Sequence, residues 1–270
     1  SDLLASIIKG IGDTLGKIVL ILAFGAILGK FLEESGAAHA ITARLIEITG
    51  LKNIQYALLI TGILIGLPMM YNAGFLVLIP LIYAFATTTR LPMIWLALPL
   101  ISALSYTHCF LPPHPAPTYV SFIYEADVNK VLLYGLIPMV PACLLGGIYL
   151  SRYFKKLESG PPAELFTVRQ FSKEQLPSFY ISLSCAVLPV VLMLLGTVTD
   201  LWLGPAPDKA ELVRQGFGDY TAYYRHILTG KNSGDLLTGI LPVCLSFVKF
   251  LSDANIALFT AVIFSMIFLG

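Results

Sequence analysis

Charge is what this 270-residue chain has least of. Only 12% of its residues are charged against 57% hydrophobic, and its mean hydropathy is +0.81. A soluble domain carries about 25% charged residues and about 45–50% apolar ones. So few charges cannot cover the surface of a 29.4 kDa globule, and lipid must replace water over much of it. Lysine and arginine number 17 and aspartate and glutamate 16, a net charge of +1. That balance argues against a nucleic-acid partner, which needs a clustered basic face. The four cysteines, Cys109, Cys143, Cys185 and Cys244, lie far apart in apolar runs without a C-x-x-C pair. They read as small buried hydrophobes rather than disulfides or metal ligands. The patterns H-E-x-x-H, G-x-S-x-G and the Walker loop are missing too. No catalytic residue, metal or cofactor is expected.

What is present is a series of apolar runs near the roughly 20 residues that a spanning helix needs. The first covers about Leu15 to Leu32, preceded by Gly12-Asp13-Thr14, where Asp13 reads as a helix cap. Lys17 and Lys30 within that run are expected to snorkel to the interface. An amphipathic stretch from Ala37 to Thr49 reads as an interfacial helix. The block from Ile54 to Ala86 is interrupted at Leu67-Pro68-Met69-Met70-Tyr71-Asn72-Ala73-Gly74, either a tight turn outside the membrane or an unwound segment within it. Further runs follow at about Leu91–Phe110, Val131–Leu150 (kinked at Pro138 and Pro141), Phe179–Leu203, Leu236–Leu251 and Ile256–Gly270. Asp253, between the last two, reads as a helix N-cap.

Two connections are long and polar. Residues 151–177 hold five of the 17 basic residues (Arg152, Lys155, Lys156, Arg169, Lys173), which assigns that loop to the cytoplasm. Residues 204–235 mix both signs, lie one crossing away after the helix at 178–203, and read as a folded extracytoplasmic cap. There is no initiator methionine at Ser1, and Gly270 falls within an apolar run, so the chain is expected to be a fragment of a longer membrane protein.

The densest chemistry lies at Phe110-Leu111-Pro112-Pro113-His114-Pro115-Ala116-Pro117-Thr118. Proline lacks the N–H donor and clashes with the preceding turn, so no continuous helix passes through. The apolar stretch after it, Thr118–Tyr124, stops at Glu125-Ala126-Asp127 and is too short to cross a membrane. The chain is therefore expected to enter, turn at the prolines and leave on the same side, as a re-entrant hairpin near 100–125. Such irregular backbone is tolerated at membrane depth only against protein or a wet cavity. Ionisable groups at that depth are functional candidates. His108 and His114 could each hold a coupled proton, or each bond a carbonyl freed by proline. Asn72, in the second polar island, could bind a solute or satisfy unwound backbone.

At these residues the chain resembles the gluconate permease family of sugar-acid proton symporters. Thr107-His108-Cys109-Phe110-Leu111-Pro112-Pro113-His114-Pro115-Ala116-Pro117-Thr118 is similar to the family's T-H-G-F-L-P-P-H-P-G-P-T. Gly12–Gly16, Phe24–Lys30, Ala126-Asp127, Leu133–Gly135 and Phe250–Asp253 also look like family positions. The resemblance implies an all-α polytopic membrane protein, half of an inverted-repeat secondary transporter. Residues 1–150 would form the first repeat and 236–270 the start of a second, whose hairpin lies beyond Gly270. It implies uptake of gluconate or a related sugar acid by proton symport, in the inner (plasma) membrane, with protons, the lipid bilayer and a small anionic sugar acid as partners. Homodimer assembly follows by fold analogy alone. Substrate binding falls on Tyr71, Asn72, Gly74, Ser105, Thr107, His108, Pro113, His114 and Thr118, and proton coupling on His114 or His108. The substrate carboxylate is expected at the half-helix starting near Thr118. The chain departs from the family at Asn72, where F-Y-E-V-G-F is usual, and at Cys109 and Ala116, where glycines are. Rival readings are a sodium-coupled carboxylate carrier, a membrane-embedded hydrolase and a structural subunit.

Overall fold

The computed structural model describes residues 2–156, 175–230 and 239–270, and among these every regular element is a helix. The helices are α1 (Asp2–Glu34), α2 (Ala37–Thr49), α3 (Ile54–Gly66), α4 (Tyr71–Thr89), α5 (Met93–Phe110) and α6 (Pro115–Ile123). They continue with α7 (Val128–Cys143), α8 (Phe179–Leu203), α9 (Lys209–Arg214), α10 (Tyr220–Gly230), α11 (Leu241–Leu251) and α12 (Ala254–Phe268). Five described segments are long and apolar enough to cross a membrane: Asp2–Glu34, Tyr71–Thr89, Met93–Ile123, Val128–Phe154 and Phe179–Leu203. Two sharply bent pairs, α2 with α3 at 111° and α11 with α12 at 88°, raise that number to as many as seven. The protein is thus an all-α polytopic membrane protein.

Several expectations need correction. Asp13 caps nothing, because α1 begins at Asp2 and carries Asp13 in its interior. Lys30 pairs with Glu33 and Glu34, both at 3.3 Å, rather than simply snorkelling. Helix α2 has the expected bounds but is no lone interfacial helix. Ala37, Ala38, Ile41 and Ile46 are buried, and it packs on α3 and α8. At the proline segment the helix breaks without the chain turning back: Met93–Ile123 has the length and apolarity of one span, with a short break at 111–114. The break keeps its direction because turn-like bonds bridge it. Leu111 N donates to Thr107 O, His114 N to Leu111 O, and Thr118 N to His114 O. The chain reverses only at 124–127, after which α7 runs back along α5 and α6. Gly135 faces Phe110 and Leu111, and Gly147 faces Pro99 and Ser102. Asp127 starts α7 by accepting from Asn129 N and Lys130 N at 2.9 and 3.1 Å. A π-helical turn at Leu144–Tyr149 follows Pro138 and Pro141 in the expected kinked span.

The centre of the fold is the contact of α3 with α5. In lipid there is no hydrophobic drive between helices, so close packing of small residues takes its place. Gly62 and Gly66, four apart on α3, face Ala103 and Thr107, four apart on α5. A Cβ at Gly62 would lie 2.7 Å from the Leu100 carbonyl oxygen and 2.8 Å from Ala103 Cβ. The first obstacle is backbone and cannot rotate away. Gly62→Ala is therefore expected to cost about 1–3 kcal/mol by overpacking. Gly10→Ala, with open space around it, should be neutral or slightly stabilising through helix propensity, by up to about 1 kcal/mol. Thermal unfolding of the full protein in detergent measures both.

In the segment expected to form a cap, the described residues 204–230 hold two short helices, α9 and α10. Helix α10 rests on α11 and the end of α8 through a cluster of Leu203, Tyr224, Leu228 and Leu245. Thr221 and Ser246 join their hydroxyls at 2.9 Å. Tyr224 is fully buried, and its hydroxyl has no partner among the described residues. Burial, reinforced by the nearby Asp200 charge, holds its phenol protonated well above the ordinary range. Removing an unsatisfied buried polar atom relieves a penalty of about 1–3 kcal/mol, so Tyr224→Phe is expected to raise the melting temperature or leave it unchanged. The remainder of the two polar connections, 157–174 and 231–238, lies outside the described residues, so the cytoplasmic assignment of 151–177 goes untested.

Candidate functional site

Two breaks meet beside each other: 67–70 between α3 and α4, and 111–114 between α5 and α6. Leu67 and Met69 are buried, so the first break is packed against protein rather than hanging as a loop in water. His114 fastens the two together. Its Nε2 lies 2.6 Å from the Gly66 carbonyl oxygen, and its Nδ1 lies 3.2 Å from His108 Nδ1. A carbonyl only accepts, so Nε2 of His114 carries the hydrogen and its Nδ1 is a lone pair in the neutral ring. The hydrogen between the two rings then belongs to His108 Nδ1. His108 Nε2 is left as the acceptor at the end of the chain. His114 is 5% exposed and fully engaged, whereas His108 is half-buried.

His108 opens on a cavity of about 250 Å³, shared with Met70, Tyr71, Asn72, Ser105 and Cys109. Helix α4 starts at this wall. Its first carbonyl bond is Gly74 N to Met70 O, and no side chain caps it. The N–H groups of Tyr71, Asn72 and Ala73 are the orphan donors of the helix start. With the aligned dipole of 19 residues behind them, they favour an anion.

Of the sequence candidates, Tyr71, Asn72, Ser105 and His108 line this cavity. His114 touches it only through His108. Thr107 does not reach it: the side chain is buried against Gly66, and its hydroxyl donates to the carbonyls of Ala103 and Leu104 at 3.0 Å. Gly74 faces Leu104, where a Cβ would meet Leu104 Cδ2 at 3.0 Å, so it seats α4 on α5. Pro113 is buried in a nearly closed recess with Gly25, Pro68 and Leu258. Thr118 is fully buried with an unpartnered hydroxyl.

The expected anion cradle near Thr118 is also not formed. Helix α6 begins at Pro115, and Pro115 and Pro117 have no N–H. Thr118 N already donates to His114 O. Only Ala116 N remains of the first four positions. The departure at Cys109 falls on the cavity wall, while exposed Ala116 does not line it. Sequence reasoning missed Met70 and the Gly66 carbonyl. A backbone acceptor opposite His114 has no signature in residue identities.

A further ionic feature escaped the sequence reading. Asp200, near the end of α8, accepts from Lys249 of α11 at 3.1 Å, with side-chain exposures of 1% and 18%. Among the described residues, no three His, Cys, Asp or Glu side chains converge to hold a metal.

A family model described as "GntP family permease" matches residues 1–270. The chain is 44% identical over 200 residues to the Gnt-II system L-idonate transporter of Escherichia coli (strain K12), covering 74% of this chain and 46% of that protein. A high-affinity gluconate transporter of the same organism is 40% identical over 200 residues, covering 74% and 46%. The gluconate permease of Bacillus subtilis (strain 168) is 40% identical over 203 residues, covering 73% and 45%. The chain thus spans about half the length of the curated relatives it matches. No solved structure matches it.

Proposed function

The chain belongs to the GntP family of permeases, and on that premise we propose that it forms one half of the solute site of a proton-coupled carrier for gluconate or a related sugar acid. Permeases are carriers rather than enzymes, and the family and apolar helices make this a multi-pass protein of the inner membrane. The observation that carries the proposal is the meeting, in one cavity, of the bare start of α4 with His108.

The substrate carboxylate lies against the N–H groups of Tyr71, Asn72 and Ala73, and Ser105 and the Asn72 carboxamide bond its hydroxyls. The coupled proton enters at His108 Nε2, making an imidazolium that faces the carboxylate. His114 acts as a positioning residue: held by Gly66, it fixes the hydrogen on His108 Nδ1 and leaves Nε2 open. Asn72 suits this division of labour. The family's carboxylate at that position would repel an anion unless protonated; asparagine does neither, and leaves proton binding to the histidines.

A monoanion entering with one proton moves no net charge. The membrane potential, worth about 2.3 kcal/mol per charge per 100 mV, then adds nothing to accumulation. The test is gluconate uptake by the complete protein in proteoliposomes. Uptake is expected to follow an inward acid gradient, to collapse with a protonophore, and to ignore sodium and a clamped potential. Sodium-dependent uptake insensitive to the protonophore would overturn the coupling and favour a sodium-driven carboxylate carrier.

A further inference from the structure

The sequence Asp-x-Asn occurs at 127–129 and again at 253–255, in segments far apart in the chain. In the fold both start a helix, α7 and α12, and both open on one cavity of about 710 Å³ beneath the cap. The two starts are built alike. Asp127 Oδ1 accepts from the N–H groups two and three residues on, and Asp253 Oδ1 does the same at 2.9 and 3.2 Å. Each aspartate spends one oxygen on its helix and keeps the other.

The asparagines are the informative members. Asn129 is 9% exposed, lines the cavity, and its carboxamide has no hydrogen bond among the described residues. Asn255 lines the cavity as well, with its Oδ1 buried behind the wall and without a partner among the described residues, a costly arrangement. Behind the wall, Gly196 on α8 packs against two lining residues: a Cβ there would overlap Ser252 and stand 3.3 Å from Asn129 Nδ2. Tyr220 and Phe250 add aromatic surface. Lys249 also reaches the wall, but Asp200 offsets its charge.

Carboxylates that only accept, beside carboxamides that donate and accept, match hydroxyl groups, which do both. A row of neighbouring hydroxyls can donate to the aspartates and accept from the asparagines together. The volume lies within the range of about 300–1,000 Å³ usual for small-molecule sites. Phe122, at the far end of α6, lines this chamber, while His114 precedes the start of α6. Eight residues of rise separate them, roughly 12 Å along the helix. We propose that the chamber is a second solute site, which takes the polyhydroxyl chain of a sugar acid at Asp127, Asp253 and Asn129 and its carboxylate at Lys209, before it reaches the pocket at His108. The inference rests on the permease reading for its solute and on the two Asp-x-Asn starts, Asn129 above all, for its place.

The test uses the complete protein in detergent, titrated calorimetrically with gluconate. Two binding events per chain are expected. Asn129→Ala with Asn255→Ala should weaken one by about tenfold or more, as loss of hydrogen bonds worth about 1 kcal/mol each implies, and leave the other. Sorbitol, a polyol without the carboxylate, should compete with that same event only. Because the double variant could fail to fold, a second measurement leaves both asparagines in place. Val213 is exposed on the chamber wall. Val213→Cys, with the other accessible cysteines replaced (Cys109 and Cys244 among them), should react with maleimide several-fold more slowly when gluconate or sorbitol is added. A single binding event with unslowed labelling overturns the chamber, even where gluconate uptake is intact. Slowed labelling in a protein that takes up no gluconate overturns the permease reading instead and leaves the chamber standing.

Discussion

The complete carrier with His108→Ala is expected to lose uphill uptake driven by an acid gradient. Two effects combine. The variant loses the group that accepts the coupled proton at the cavity wall, and the lone pair that remains, His114 Nδ1, belongs to a buried ring held on the Gly66 carbonyl. It also lacks the imidazolium that faces the substrate carboxylate. A hydrogen bond to a charged group is worth about 1.5–3 kcal/mol, so binding should weaken by roughly 10- to 150-fold. His108→Gln separates the two effects. Glutamine keeps a donor but takes no proton at neutral pH, so exchange of gluconate across the membrane should survive in part while accumulation fails. His114→Ala has a different expected signature. It frees the His108 ring to change its tautomer, so uptake should persist at a reduced rate with an altered pH profile. Wild-type accumulation in His108→Ala, measured with radiolabelled gluconate in proteoliposomes, would reject the assignment outright.

Lys249→Met is expected to have the largest effect on stability. It strands the Asp200 carboxylate, which is 1% exposed and among the described residues otherwise holds only a long 3.4 Å bond from Ala206 N. Breaking a buried ion pair from one side costs about 3–5 kcal/mol, because the remaining charge has neither water nor partner. Removing both charges is a different matter. An apolar pair of similar volume is often neutral or stabilising by about 1–4 kcal/mol. Asp200→Leu combined with Lys249→Met should therefore recover most of the loss. The cap sits over this pair, with Tyr224 buried beside it. Local opening of α9 and α10 should accompany the single variant. Hydrogen exchange in detergent reads that opening, and thermal unfolding reads the rest. Equal melting temperatures for the wild type and Lys249→Met would mean the pair contributes nothing.

Periodicity and punctuation made the helices legible. The bounds of α2 and α8 fall where the apolar runs begin and end, and Asp253 caps α12 as its place before an apolar run suggested. The prolines marked the break at 111–114 correctly. They did not reveal its direction, because four residues of turn can either reverse a chain or carry it onward. The bonds from Leu111 N, His114 N and Thr118 N decided for onward. For the same reason the start of α6 offers few donors to an anion. A helix start after two prolines looks like a dipole end, but its donors are missing at Pro115 and Pro117.

Composition alone determined that this is a membrane protein, since charge so sparse leaves lipid as the solvent. The proline-histidine motif alone carried the family. Only the tertiary structure told the two histidines apart, because tautomer and access depend on a carbonyl 48 residues away in the chain. It alone joined two Asp-x-Asn starts in one chamber and placed Lys249 on Asp200. Such pairings are matters of distance between helices, and residue order constrains distance only within a helix.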